Sequence, residues 1–183
     1  MPYNKPSGAI SQISIGPGII RVGPTGATPS FDVGHVKGDM TLRINREAVD
    51  IRAGSPQTLI DRMAAAEDVS LEFTGIEWDM DVLLRAVGDG ASSVSGASEF
   101  FKTGGRPKFD KYAVQFEHVM ADGGTLTWNV WNAIPSGEVE TSITPDDVHE
   151  ITMRFDAMDS TTDWAGATLL AGQKLVQIQR IKP

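Results

Sequence analysis

Four separate stretches of this chain alternate apolar and polar residues with a period of two, and that pattern constrains the fold more than any other feature. Met40, Leu42 and Ile44 alternate with Thr41, Arg43 and Asn45. Val69, Leu71 and Phe73 alternate with Ser70, Glu72 and Thr74, and Tyr112, Val114 and Phe116 with Ala113, Gln115 and Glu117. Ile151, Met153 and Phe155 alternate with Thr152, Arg154 and Asp156. Period two places successive side chains on opposite faces of a strand, so each stretch predicts a strand with one buried face. Ile19–Val22, bounded by Gly16-Pro17-Gly18 and Gly23-Pro24, reads as a further short strand. Ala121-Asp122-Gly123-Gly124 reads as a hairpin turn leading to a return strand over 125–133, and 174–181 as a last strand. With 19 Gly and 10 Pro among 183 residues, the chain is rich in turn formers, as a mainly β fold requires.

One helix is expected over 77–88. Met80, Leu83, Leu84 and Val87 fall on one face at helical spacing, which makes Leu83, Leu84 and Val87 the expected core positions. Acidic Glu77, Asp79 and Asp81 suit the positive end of its dipole, and Gly88 suits its stop. Residues 55–66 also read locally as a helix, with Ser55 as cap, Pro56 in the first turn and an alanine run at 64–66. Residues 89–109 show no periodicity and read as a long loop carrying Phe100-Phe101. Residues 1–17 read as an arm, and 18–183 as a single domain.

Composition narrows the function. Hydrophobic residues make up 40% and charged residues 22%, enough for a core. The absence of cysteine removes disulfides, thiolate catalysis and cysteine zinc sites. A net charge of −8 argues against gripping nucleic acid by its phosphates. Residues 1–8 lack the apolar core of a signal peptide, and no stretch approaches the ~18–20 apolar residues of a membrane span, so a soluble chain without membrane binding is expected.

Motifs for catalysis are missing. His149-Glu150 begins like a zinc-protease helix, but Met153 stands where the second histidine belongs. There is no Gly-x-Ser-x-Gly elbow and no phosphate loop, and Gly16-Pro17-Gly18 leads into a strand where a dinucleotide site needs a helix. No catalytic, metal or cofactor residue is therefore assigned, and no cofactor is expected. Trp128 and Trp131, on opposite faces of one strand, leave open a sugar- or host-surface-binding β-sandwich.

The order of these pieces resembles the major tail tube proteins of long-tailed, siphovirus-like bacteriophages. The resemblance runs over residues 16–182, from Gly18-Ile19-Ile20-Arg21-Val22-Gly23-Pro24 through Asp32-Val33-Gly34, the Val49–Phe73 region with Ser55-Pro56 and Asp61, and the helix opened by Glu77, to Phe155-Asp156-Ala157-Met158-Asp159. It implies a β-sandwich or open barrel with one flanking helix and long loops or arms. It further implies hexameric rings whose inner strands join into one continuous β-barrel around a lumen. Such rings stack into a tube that surrounds a tape measure protein, meets tail terminator and distal tail proteins, and passes DNA without specific binding. The location implied is the tail of the virion, after assembly in the host cytoplasm. The tube of a contractile tail or of a secretion system has the same layout and stands as an alternative.

The resemblance also makes 57–76 an extended β-hairpin arm, against the local helical reading of 55–66. Under it, Leu59, Ile60, Phe100, Phe101 and Arg106 become candidate contacts between subunits. Glu72 and Glu117, opposite the core faces of their strands, become candidate acidic residues of the lumen.

Overall fold

The computed structural model describes residues 18–105, 109–137, 139–142 and 150–183. The expected arm at 1–17, Arg106 and His149 lie outside the described residues. The fold is mainly β. Its elements are β1 (Ile19–Pro24), β2 (Phe31–Asp32), β3 (Val36–Ala53), β4 (Thr58–Gly75), α1 (Met80–Val87), β5 (Ala91–Ser95), β6 (Ser98–Lys102), β7 (Tyr112–Val119), β8 (Thr125–Pro135), β9 (Thr141–Ser142), β10 (Glu150–Ala157) and β11 (Val176–Ile181).

Nine of the strands form one antiparallel sheet in the order β2-β1-β7-β8-β10-β4-β3, with β11 beside β8 and β9 beside β10. The sheet curls because β8 serves two neighbourhoods. Its first half pairs with β7 and β11, with Phe116 opposite Trp128 and Trp128 opposite Ile178. Its last residues pair with β10, with Ala133 opposite Ala157 and Pro135 opposite Phe155. Between the two, the register slips: Val114 faces Val130 but Tyr112 faces Ala133. The extra residue on β8 is a bulge, which bends a strand and lets it turn a corner.

The curl brings two apolar faces together. Ile20, Val22, Val114 and Val130 from one half pack with Leu71, Phe73, Ile151, Met153 and Phe155 from the other, all nearly inaccessible. Phe155 stacks on Phe73 at 6.0 Å and meets the edge of Tyr112 at 6.3 Å. The alternations at 69–73 and 151–155 are thus buried as their period requires. Along 40–44 burial fades: Met40 and Leu42 are half-buried, and Ile44 is 49% exposed.

The helix closes one side of the core. Asp79 caps it, accepting a 2.7 Å hydrogen bond from the Asp81 N–H. Gly88 ends it at φ 70°, and a Cβ there would strike the Pro135 ring. The buried stripe is Val82, Leu83 and Ala86, while Leu84 and Val87 are half-buried. The helix contacts β5, β6, β8 and β10, and its innermost face takes in Val82 and Ala86 beside the expected Leu83.

Two segments differ from their local sequence signals. Residues 58–66 are strand, not helix: β4 pairs with β3 along almost its whole length, and this pairing outweighs the helical preference of Ala64-Ala65-Ala66. Within 89–109, the expected loop contains the hairpin β5–β6, with Ser92 opposite Phe101 and Ser93 opposite Phe100. Serine-rich β5 has no apolar alternation, so no period announced it.

Phe155→Ala should lower subunit stability by about 3–5 kcal/mol, and Leu83→Ala by about 2–5 kcal/mol, in urea denaturation. A change near zero at Phe155 would mean that the two halves of the sheet do not depend on each other through this ring.

Candidate functional site

The most unusual surface is the distal part of the β3–β4 pair. From residue 46 to residue 67 nearly every position is exposed, and the hairpin tip stands about 30 Å beyond the last core contact at the usual rise of a strand. Two register shifts, at Glu47/Ala48 and Ile51/Arg52, divide it. Between them Ala48 faces Ala64 and Asp50 faces Arg62 on one side of the ribbon, while Val49 faces Met63 and Ile51 faces Asp61 on the other. The first side is small and charge-paired: Asp50 accepts from Arg62 at 2.7 Å and from Arg52 at 3.1 Å, and these bonds hold its carboxyl below the usual range. Arg46 and Glu67 close the base at 2.8 Å. The second side leaves Val49, Ile51 and Met63 exposed by 40–58%, and Leu59 and Ile60 follow at the tip with 48% and 64%.

Leu59 and Ile60, named from sequence, therefore lie where a contact could form. Val49, Ile51 and Met63 were missed. The alternation of Val49 and Ile51 with Asp50 and Arg52 was the available signal, masked by the helical appearance of the segment that follows. The other named contacts divide. Phe101 turns inward and packs against the core, whereas Phe100 is 42% exposed.

The second surface is the polar outer face of the curled sheet. Glu72 lies opposite Arg154 in register, with the Arg43 guanidinium 3.4 Å away. Glu117 accepts from Arg21 at 2.6 Å. Gln115 donates to Asn129 at 3.1 Å, and Asn129 to Gln177 at 3.2 Å, so an amide ladder crosses three strands. Both acidic candidates face away from the core, and each has an arginine beside it.

A third feature is a cleft of about 860 Å³ between the starts of β1 and β3, floored by Met40, Phe116 and Trp128. The rings of Phe116 and Trp128 tilt together at 4.9 Å. Trp131 is buried on the other face of β8, where its indole N–H donates to Gln173 O at 3.1 Å and its ring meets Trp164, so it cannot serve as an open sugar platform. At the cleft rim, His35 Nδ1 bonds Glu77, and the Glu77 carboxylate also accepts from the His35 backbone N–H at 3.1 Å. Among the described residues, no cluster of His, Asp or Glu is placed to hold a metal ion, and no helix is long and apolar enough to cross a membrane.

No protein-family model matches the sequence, and no curated protein matches it. Among solved structures, the chain is similar to the anti-feeding prophage cap, a tube-terminating cap, with a TM-score of 0.54 and 14% identity over 98% of this chain and 99% of that one. It also aligns with a tail protein of an empty GTA particle refined with C6 helical symmetry, at a TM-score of 0.44 and 10% identity over 78% and 91% of the two chains. The first likeness is one of fold: this chain has the architecture of that cap over essentially its whole length.

The hydrogen bond from Glu77, and then its charge, raise the pKa of His35 above its ordinary 6.5, and the same bond lowers that of Glu77. The pair is complete while Glu77 is ionised and His35 protonated. Its contribution is therefore lost as pH rises through the raised imidazole pKa, and lost again as pH falls through the lowered carboxyl pKa. NMR titration should find His35 above 6.5, and Glu77→Gln should bring it back down; an unchanged His35 in that variant would remove the carboxylate as the cause.

Proposed function

We propose that this chain is a non-enzymatic structural subunit of a phage-type tail, whose copies close into rings that stack as a hollow tube. The observation that carries the proposal is the β3–β4 arm. An isolated domain has no use for a ribbon about 30 Å long with one apolar side left open, whereas a polymer uses such a ribbon to reach its neighbour. Strand β3, 18 residues long, also forms an edge of the described sheet. Closing such edges across subunits is how a ring of β-domains avoids uncontrolled pairing. The cap-like fold agrees with this reading. In the full form of the proposal the rings are hexameric, the tube encloses a tape measure protein, terminator and distal tail proteins bind its ends, and DNA passes through the lumen.

A second reading comes from the cap itself. The near-complete mutual coverage with a tube-terminating cap makes a cap role for this chain the alternative, in which one ring ends a tube that other subunits build. Copy number separates the two. Quantitative mass spectrometry of purified particles should find this chain as a major component if it builds the tube and at a few copies if it caps it; complete absence would end both readings.

Ile60→Asp combined with Met63→Asp should leave the monomer's melting temperature nearly unchanged, because both side chains are exposed, and should abolish tubes in negative-stain images. Normal tubes from this variant would remove the arm from the interface.

On this reading the outer face bearing Glu72 lines the lumen. It is not a purely acidic wall, since Arg43 and Arg154 flank Glu72, and Arg154 in turn pairs with Asp156 at 3.1 Å. Glu72→Lys would put three cations together there in every subunit. Tubes should still form but release DNA more slowly, with recovery at high salt as phosphate contacts are screened. Unchanged release at low salt would place Glu72 away from the channel.

A further inference from the structure

Strand β3 links two surfaces that lie at its opposite ends. Its first residues, through Met40, form one wall of the cleft. Its last residues, to Ala53, form one strand of the arm. From Met40 to Ala53 an extended chain rises roughly 40 Å. The ladder with β4 runs along this stretch, so it holds the tip of the arm away from the cleft of its own chain. A recess at one end and a projection at the other is the layout of a head-to-tail contact. The arm of one copy can enter the cleft of the next, whose own arm then stays free for a third.

The two surfaces also match in chemistry. The cleft measures about 860 Å³, and its floor is apolar, made of half-buried Met40, Phe116 and Trp128. Its rim carries three carboxylates, Asp32, Asp39 and Glu77. Asp32 accepts a 2.9 Å hydrogen bond from the Gly34 N–H, and Glu77 is engaged by His35. Asp39 is exposed, and among the described residues no group bonds its carboxylate.

The tip of the arm supplies the complement. Residues 52–60, Arg52-Ala53-Gly54-Ser55-Pro56-Gln57-Thr58-Leu59-Ile60, hold a single charged side chain, and it is a cation. Leu59 stands opposite Arg52 in register and is 48% exposed, and Ile60 beside it is 64% exposed. Arg52 reaches Asp50 at 3.1 Å, but Arg62 bonds the same carboxylate at 2.7 Å. Arg52 can therefore turn to another carboxylate and leave Asp50 paired. The exposed Phe100 ring suits this tip less well, because the Lys102 ammonium stands 5.9 Å from it and would meet Arg52 as a like charge.

We propose that the arm tip of one copy docks in the cleft of the next, a contact that rests on the tail reading above and gives the arm its receptor. Leu59 and Ile60 lie on the Met40–Phe116–Trp128 floor, and the Arg52 guanidinium meets Asp39.

The chain has no cysteine, so introduced thiols report on this contact alone. Ile60→Cys and Asp39→Cys, each in a separate full-length chain, both replace exposed side chains. Mixed at about 100 μM under mild oxidation, they should form disulfide-linked dimers at least tenfold faster than Ile60→Cys mixed with Val94→Cys, whose thiol sits on the exposed β5–β6 hairpin. Equal rates would overturn the proposal, whether or not tubes form. Selective linkage in a wild-type chain that builds no tubes would instead sink the tail reading and leave the contact standing. A charge swap tests the polar half. Arg52→Glu should suppress tubes in negative-stain images, and adding Asp39→Arg to the same chain should restore them. Tubes that persist in Arg52→Glu, or a second change that restores nothing, would remove the Arg52–Asp39 pairing and with it the proposed seat.

Discussion

Phe155 is the point at which the two halves of the sheet are committed to each other. Its ring stacks on Phe73 of β4, receives the edge of Tyr112 from β7, and lies on the strand whose last residues pair with the end of β8. A strand pair alone buries only one side of its apolar face, and two strands are at best marginally stable in water. The aromatic contact provides the second side. Once it forms, Leu71, Met153 and Ile151 are covered, the helix docks through Val82, Leu83 and Ala86, and the polar residues between them are all sent to the outer face.

That sorting explains where the charge of this acidic chain does and does not lie. On the outer face, Glu117 meets Arg21 and Glu72 meets Arg43, each pair partly open to water. Such pairs contribute little to stability, typically under ~1 kcal/mol, but they cancel local charge. The arm repeats the arrangement with Arg46–Glu67 and Asp50–Arg62. The cleft rim differs, with three carboxylates against one histidine. A net charge of −8 therefore says little about any one surface.

Sequence legibility followed the same physics. Where one face of a strand is buried, as at 69–73 and 151–155, alternation gave the strand and its orientation directly. The helix was legible from its apolar spacing and from Gly88, which stops it as expected, but it starts at Met80 and not at 77, because Asp79, read only as a dipole partner, is its cap. Its buried face was harder: which of Leu83, Leu84 and Val87 goes deepest depends on the β5–β6 hairpin beside it, and β5 carries no apolar period. Residues 58–66 show the limit most clearly. The alanine run favours a helix locally, and only the long pairing with β3 makes it a strand, so the arm came from the resemblance to tail tube proteins and not from local pattern. The charge pairing of Glu72 and Glu117 was out of reach, since Arg21 and Glu117 are 96 residues apart and meet only through the β1–β7 register.

Strand β8 carries one more implication. It shares hydrogen-bonded ladders with β7 and β11 along its first half and with β10 at its end, and a single bulge separates the two stretches. A continuous strand common to both halves is a seam and not a hinge, because opening the halves would require breaking ladder bonds on either side of the bulge together. The domain is therefore built to transmit bending and tension rigidly. Any object made from many copies of it must take up its curvature in the junctions between copies.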